Sequence, residues 1–156
     1  MVSHAQGIGN VGNILEDKKG QRQGRRLVGI VDRDKKFHEQ PYLAQFTLVV
    51  GGGKGPTDTH CIYQHPERTD QYIIVLNPAC DLWLLKAARQ AQLPLDEMGV
   101  PTELESFKDF SKQNGVTKNP KMRELLWRIQ QARPPMYREL AEFVASIMDI
   151  APPRYL

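Results

Sequence analysis

The chain has 156 residues, 40% of them hydrophobic and 25% charged, with a formal net charge of +3. That length suits one domain with a real core. The composition points to a soluble globular protein: no apolar run approaches the roughly 18 residues of a membrane span, and "MVSHAQGIGN" lacks the basic start and apolar core of a signal peptide.

In chain order, "GNVGNILEDKKG" reads as a short helix, with Asn10 as cap, Val11, Ile14 and Leu15 on one face and Gly20 as the stop. "LVGIV" at 27–31 is a continuous apolar run, the pattern of a strand covered on both faces of a parallel sheet. "QFTLVVG", ending at Gly51, reads as a second such strand, and "GGGKGPTDTH" as a glycine-rich loop. "CIYQ" suits a short edge strand, and "QYIIVL" at 71–76 is the third strong strand. After Pro78 the spacing turns helical. "ACDLWLLKAARQAQ" is closed by Pro94. "PTELESFKDFSKQNG" offers a Thr102–Glu105 capping box. "NPKMRELLWRIQQA" has Asn119 as cap, Pro120 at the first helical position and Met122, Leu125, Leu126 and Ile129 as its apolar face. "PPMYRELAEFVASIMD" carries a stripe from Met136 to Met148. The expectation is an α/β fold in a single domain over 1–156, with strands and crossovers over 1–78 and a helical portion over 79–150.

Charge is unevenly spread. Residues 18–36 hold eight Lys and Arg against two Asp, 106–138 hold eight against two acids, and 39–105 hold nine acids against four bases. Two basic segments around an acidic middle suit either a phosphate-facing surface or solvated helix faces. Cys61 and Cys80 have no metal-type spacing and sit beside apolar residues, as buried free thiols in a reducing cytoplasm would. The four histidines form no zinc pattern. His60 and His65 fall in an expected surface region, and His38 lies near the acidic turn at 32–34. Trp83 and Trp127 lie in helical patterns and are expected in the core.

Chemistry concentrates at "LVGIVDRDKK", where an apolar strand runs into Asp32 and Asp34. Carboxylates at i and i+2 share a face at a strand end, and two of them with a substrate phosphate are enough to hold Mg²⁺. Arg33, Lys35 and Lys36 would then meet phosphate oxygens. Asp81, in the first turn after Asn77–Pro78, is a candidate third carboxylate, although the helix dipole alone also explains it. An ordinary solvated turn is the plain alternative. A different reading takes Gly7, Gly9 and Gly12 as G-x-G-x-x-G, with Asp32 as the ribose contact of a dinucleotide-binding, Rossmann-like domain. That motif needs a buried strand ahead of it, and only "MVSHAQ" precedes. "GGGKGPTD" is not a Walker A loop, because Gly55 follows Lys54.

The Asp32-x-Asp34 strand, followed later by Asn77-Pro78-x-x-Asp81-x-Trp83-x-Leu85, resembles the Toprim-like proteins of the RloB-type and OLD-nuclease-related group, over about residues 5–90. The group usually carries Glu where Asp81 stands. The resemblance implies a mostly parallel, Toprim-like central sheet. It also implies Mg²⁺ held by Asp32, Asp34 and Asp81, and metal-dependent phosphodiester chemistry on nucleic acid. Toprim domains normally begin with a strand ending in a catalytic Glu. No such strand precedes "GIGN", and Glu16 falls inside the expected helix. Either that residue stands upstream of Met1, or the chain carries a metal-capable site without its general acid/base. The non-enzymatic alternative is an interaction subunit whose protein partner, or second copy in a homo-oligomer, supplies the missing element.

Overall fold

The computed structural model describes residues 7–17, 26–33, 37–51 and 59–148. Within them the fold is mixed α/β, with a four-stranded mixed sheet and five α-helices. No helix among the described residues is long and apolar enough to cross a membrane. The chain divides into two compact units, residues 1–79 and 80–156.

The first unit contains α1 (Ile8–Glu16), β1 (Leu27–Asp32), a 3-10 turn at Leu43–Gln45, β2 (Thr47–Val50), β3 (His60–Gln64) and β4 (Gln71–Leu76). The strand order is β1-β4-β3-β2. β1 and β4 are parallel, with Leu27 opposite Gln71 and Asp32 opposite Leu76, whereas β3 is antiparallel to both β4 and β2. The expectation of a mostly parallel sheet is therefore corrected: one of the three pairings is parallel. The short links from β2 to β3 and from β3 to β4 return the chain antiparallel, since a parallel neighbour needs a crossover of a dozen or more residues.

β4 runs between β1 and β3, and its unbroken apolar run fits that place, with Ile73, Ile74, Val75 and Leu76 all buried. Among the described residues β1 is an edge strand. Gly29 and Val31 are buried, while Ile30 is 60% exposed, so the apolar run does not mark cover on both faces. The buried side packs on α1 so closely that a Cβ on Gly29 would lie 2.8 Å from Val11 Cγ1. Leu15, Val31, Phe37, Tyr42, Leu43, Phe46, Ile73 and Val75 form the core there, with Ile8 and Val11 packed against it. The α1 stripe is therefore Ile8, Val11, Gly12 and Leu15, an i, i+3, i+4, i+7 set. The helix begins ahead of Asn10, with Gly7 at its N-cap, and Ile14 is exposed.

β2 and β3 exchange the places expected of them. β2 is the outer strand, with Leu48 47% exposed, and β3 is interior.

The second unit holds α2 (Cys80–Gln90), α3 (Leu104–Ser111), a 3-10 turn at Val116–Lys118, α4 (Pro120–Ala132) and α5 (Pro135–Ile147). Asn119 caps α4 as expected, its side chain accepting from the Lys121 amide at 3.0 Å, with Pro120 opening the helix. The Thr102–Glu105 box does not form. The N-cap of α3 is Glu103, the Thr102 carbonyl accepts from Arg89 at 2.6 Å, and Glu105 pairs with Lys108 at 2.7 Å. Met122, Leu125 and Ile129 form the buried face of α4, which leaves Leu126 44% exposed.

Candidate functional site

Parallel pairing brings the C-terminal ends of β1 and β4 to the same edge of the sheet, Asp32 level with Leu76. The backbone then ties the two exits together. The Arg33 amide donates to the Leu76 carbonyl at 2.8 Å and to the Pro78 carbonyl at 3.1 Å, while the Asn77 amide donates to the Thr59 carbonyl at 2.8 Å. The acidic strand end and the Asn77–Pro78 turn, far apart in sequence, are neighbours in space. Asp32 and Arg33 are both exposed there. Phe37 is buried in the core, its ring 5.1 Å from that of Tyr63. Burial pushes the Tyr63 hydroxyl above its ordinary pKa, and the positive charge of Arg33 works against that rise.

Of the expected site residues, Asp34, Lys35 and Lys36 lie outside the described residues. Asp81 belongs to the second unit and sits in the first turn of α2, where a carboxylate suits the helix N-terminus. Its Oδ2 is 4.0 Å from Lys112 Nζ. Among the described residues no group of three or more His, Cys, Asp or Glu side chains is placed to hold a metal ion. Asp32, exposed at the strand end, is the one carboxylate of the expected set described there; Mg²⁺ commonly takes one or two carboxylates while keeping its waters.

The glycine motif has a structural use. Gly7 caps α1 at φ 120°, and Gly9 and Gly12 lie inside the helix. Gly9 faces open space, whereas a Cβ on Gly12 would fall within the Gln40 side chain.

Several residues depart from their expected environments. Cys80 is exposed and Cys61 half-buried, and neither is in a disulfide. His38 is exposed, its ring edge-on to Phe37 at 5.0 Å. Trp83 is buried as expected, but Trp127 is 58% exposed. His60 and His65, expected at the surface, are both buried.

His65 anchors a polar cluster that the sequence reading missed. Its Nδ1 accepts from the Glu67 and Arg68 amides, at 3.2 and 3.0 Å, which pins the turn between β3 and β4. The ring packs against Tyr42 and Phe46, with centroids 5.2 and 5.1 Å away. Arg68 donates to the Tyr42 hydroxyl at 2.6 Å and lies over the Tyr42 ring at 5.2 Å. The Tyr42 hydroxyl donates to Gln71 Oε1 at 2.7 Å, and Gln71 Nε2 donates to the Leu15 carbonyl at 2.8 Å. Three segments are thereby joined: the end of α1, residues 42–46 and the 65–71 turn. Burial, reinforced by the Arg68 charge, holds the His65 pKa below its ordinary value, and burial raises that of Tyr42. The sequence signal was His65 ahead of Pro66 and a polar turn, a side chain placed to accept from its own following amides.

No protein-family model, curated protein or solved structure matches this chain.

Proposed function

We propose that the chain is a Toprim-like, Mg²⁺-dependent protein acting on nucleic-acid phosphodiesters, or a degenerate relative that binds without cleaving. The observation that supports this most is the junction of the two sequence motifs at one sheet edge. The Arg33 amide bridges the Leu76 and Pro78 carbonyls, so the Asp32-x-Asp34 strand end and the Asn-Pro turn form one place. Ligands of open α/β sheets bind beyond the carboxyl ends of parallel strands, and Asp32 stands at such an end. Asp32 and Asp34 hold the cation, and Arg33, Lys35 and Lys36 position the phosphate backbone without reading sequence. A bound Mg²⁺ would polarise a phosphate oxygen and orient water. Asp81 lies in the second unit, where its partner is Lys112.

Calorimetric titration with Mn²⁺ tests this. Binding is expected for the wild type and is lost in Asp32→Ala. If the wild type takes up no Mn²⁺, or the variant binds as well, the reading is wrong.

A second reading, a subunit that associates with a protein partner or its own copy, is favoured by β2. Among the described residues this strand pairs on one side only, and Leu48 and Val49 are exposed on it. Unprotected apolar edge strands invite pairing with another chain. Sedimentation of the wild type against Val49→Lys distinguishes the cases. A concentration-dependent dimer abolished by the lysine supports association through β2, and a monomer in both counts against it.

A further inference from the structure

The outward face of α4 has no role in the fold or at the strand-end site. Met122, Leu125 and Ile129 complete its buried stripe. Trp127 therefore projects from the middle of the opposite face, 58% exposed, with Arg123 one turn before it and Gln130 and Gln131 one turn after. An exposed Trp leaves a large apolar side chain in water with no packing in return. Its neighbours do not make an apolar dock: besides Leu126 they are Arg123, the two glutamines and Glu124, whose carboxylate is taken up by Arg128.

The charge around it is unbalanced. Glu124, the only acid of α4, is bound by Arg128 at 2.8 and 3.0 Å. Lys118 and Arg123 have no ion pair among the described residues, whereas the Lys121 side chain lies along Gly99. A flat indole with an unpaired guanidinium one turn before it, on a helix with three more cations than acids counting Lys118, has the make-up of a single-stranded nucleic-acid platform, where a base stacks on the ring and cations track the phosphates. In a duplex the base faces are already covered by their neighbours, so one indole on a convex helix suits an unpaired base. A protein interface core, by contrast, is depleted of charge.

We propose that the Trp127 face of α4, with Arg123 and the cations leading into the helix, binds single-stranded nucleic acid by stacking and backbone neutralisation. The site extends the nucleic-acid reading to the second unit and depends on neither Asp32 nor a metal.

The test is fluorescence anisotropy of a labelled oligothymidylate with the full chain, in EDTA and across a salt series. Wild type binds at low salt and weakens as salt rises. Trp127→Ala weakens binding about 5- to 150-fold, as expected for loss of one stacked base, and Trp127→Tyr restores most of it. Arg123→Ala lowers the slope of log K against log salt by about 0.7, the value of one single-strand phosphate contact. Because binding is read in EDTA, with no divalent cation available, failure of the metal reading leaves this result standing. Unchanged circular-dichroism melting of the Trp127 and Arg123 variants separates lost contact from lost fold. No binding by the wild type, equal binding by Trp127→Ala, tighter binding of duplex than of single strand, or a Trp127-dependent dimer in sedimentation would each overturn the proposal.

Discussion

Acid should weaken the fold through His65. Its Nδ1 accepts two backbone amides, and a protonated ring can accept neither. Protonation would also place a charge at a side chain only 2% exposed, near Arg68, and the nearby Glu67 and Asp70 charges offset this only in part. Because the folded-state pKa is lowered, the neutral form is the one that folding favours. Stability from this residue is complete above the unfolded value of about 6.5 and falls as pH drops below it toward the folded value. The loss at pH 5 has a ceiling of about 2 kcal/mol, from about 1.5 pH units at 1.36 kcal/mol each. The structural cost is of that size: two hydrogen bonds at about 0.5–1.5 kcal/mol apiece, the Glu67 amide being the easier to rehydrate. Urea midpoints at pH 7, 6 and 5 measure the loss. His65→Asn keeps an acceptor for the turn amides and removes the titration. It should be less stable throughout, from lost packing on Tyr42 and Phe46, but with a shallower decline between pH 6.5 and 5. The other histidines are common to both proteins and cancel in the comparison. Equal pH slopes for the two proteins, or an NMR titration placing His65 at or above 6.5, would refute the reasoning.

Other expected outcomes follow from packing and capping. Gly12→Ala should cost about 1–3 kcal/mol, because its methyl group meets Gln40. Gly9→Ala, in the same helix but facing open space, should stabilise by up to about 1 kcal/mol; chemical denaturation compares the pair. Asn119→Ala should cost about 1 kcal/mol by removing the cap of α4, read as a lowered urea midpoint. Leu125→Ala should cost about 2–5 kcal/mol, whereas Leu126→Ala, one position along and exposed, should change stability by no more than about 0.5 kcal/mol.

What the sequence disclosed was mostly local. The bounds of β4, the Asn119–Pro120 start of α4 and the position of Asp81 in the first turn of α2 all follow from short-range rules of periodicity and capping. Sheet order did not follow. "LVGIV" and "QFTLVVG" read as covered strands and are edges among the described residues, while "CIYQ" reads as an edge and is interior, because an apolar run reports strand character and not which neighbours pair with it. The buried histidines were missed because their burial depends on groups supplied by the tertiary fold: turn amides and two aromatic rings for His65, and Thr59 Oγ1, 3.2 Å from Nδ1, for His60. Trp127 was legible in principle. In "ELLWRI" a helix can turn only some of Leu125, Leu126 and Trp127 inward, and the spacing of Met122, Leu125 and Ile129 selects Leu125. The strand end was legible in part: the sequence reading placed Asp32 and the Asn-Pro turn on one rim of the sheet, and the parallel register of β1 and β4 does bring those two together.

The most direct test of the metal reading is anomalous diffraction from crystals soaked in Mn²⁺. The account requires a peak at bonding distance from the Asp32 carboxylate, about 2.1 Å by the standard of Mg²⁺, with Asp34 as its companion. A well-ordered Asp32 with no peak beside it, at a Mn²⁺ concentration that fills other carboxylate sites, would contradict the account.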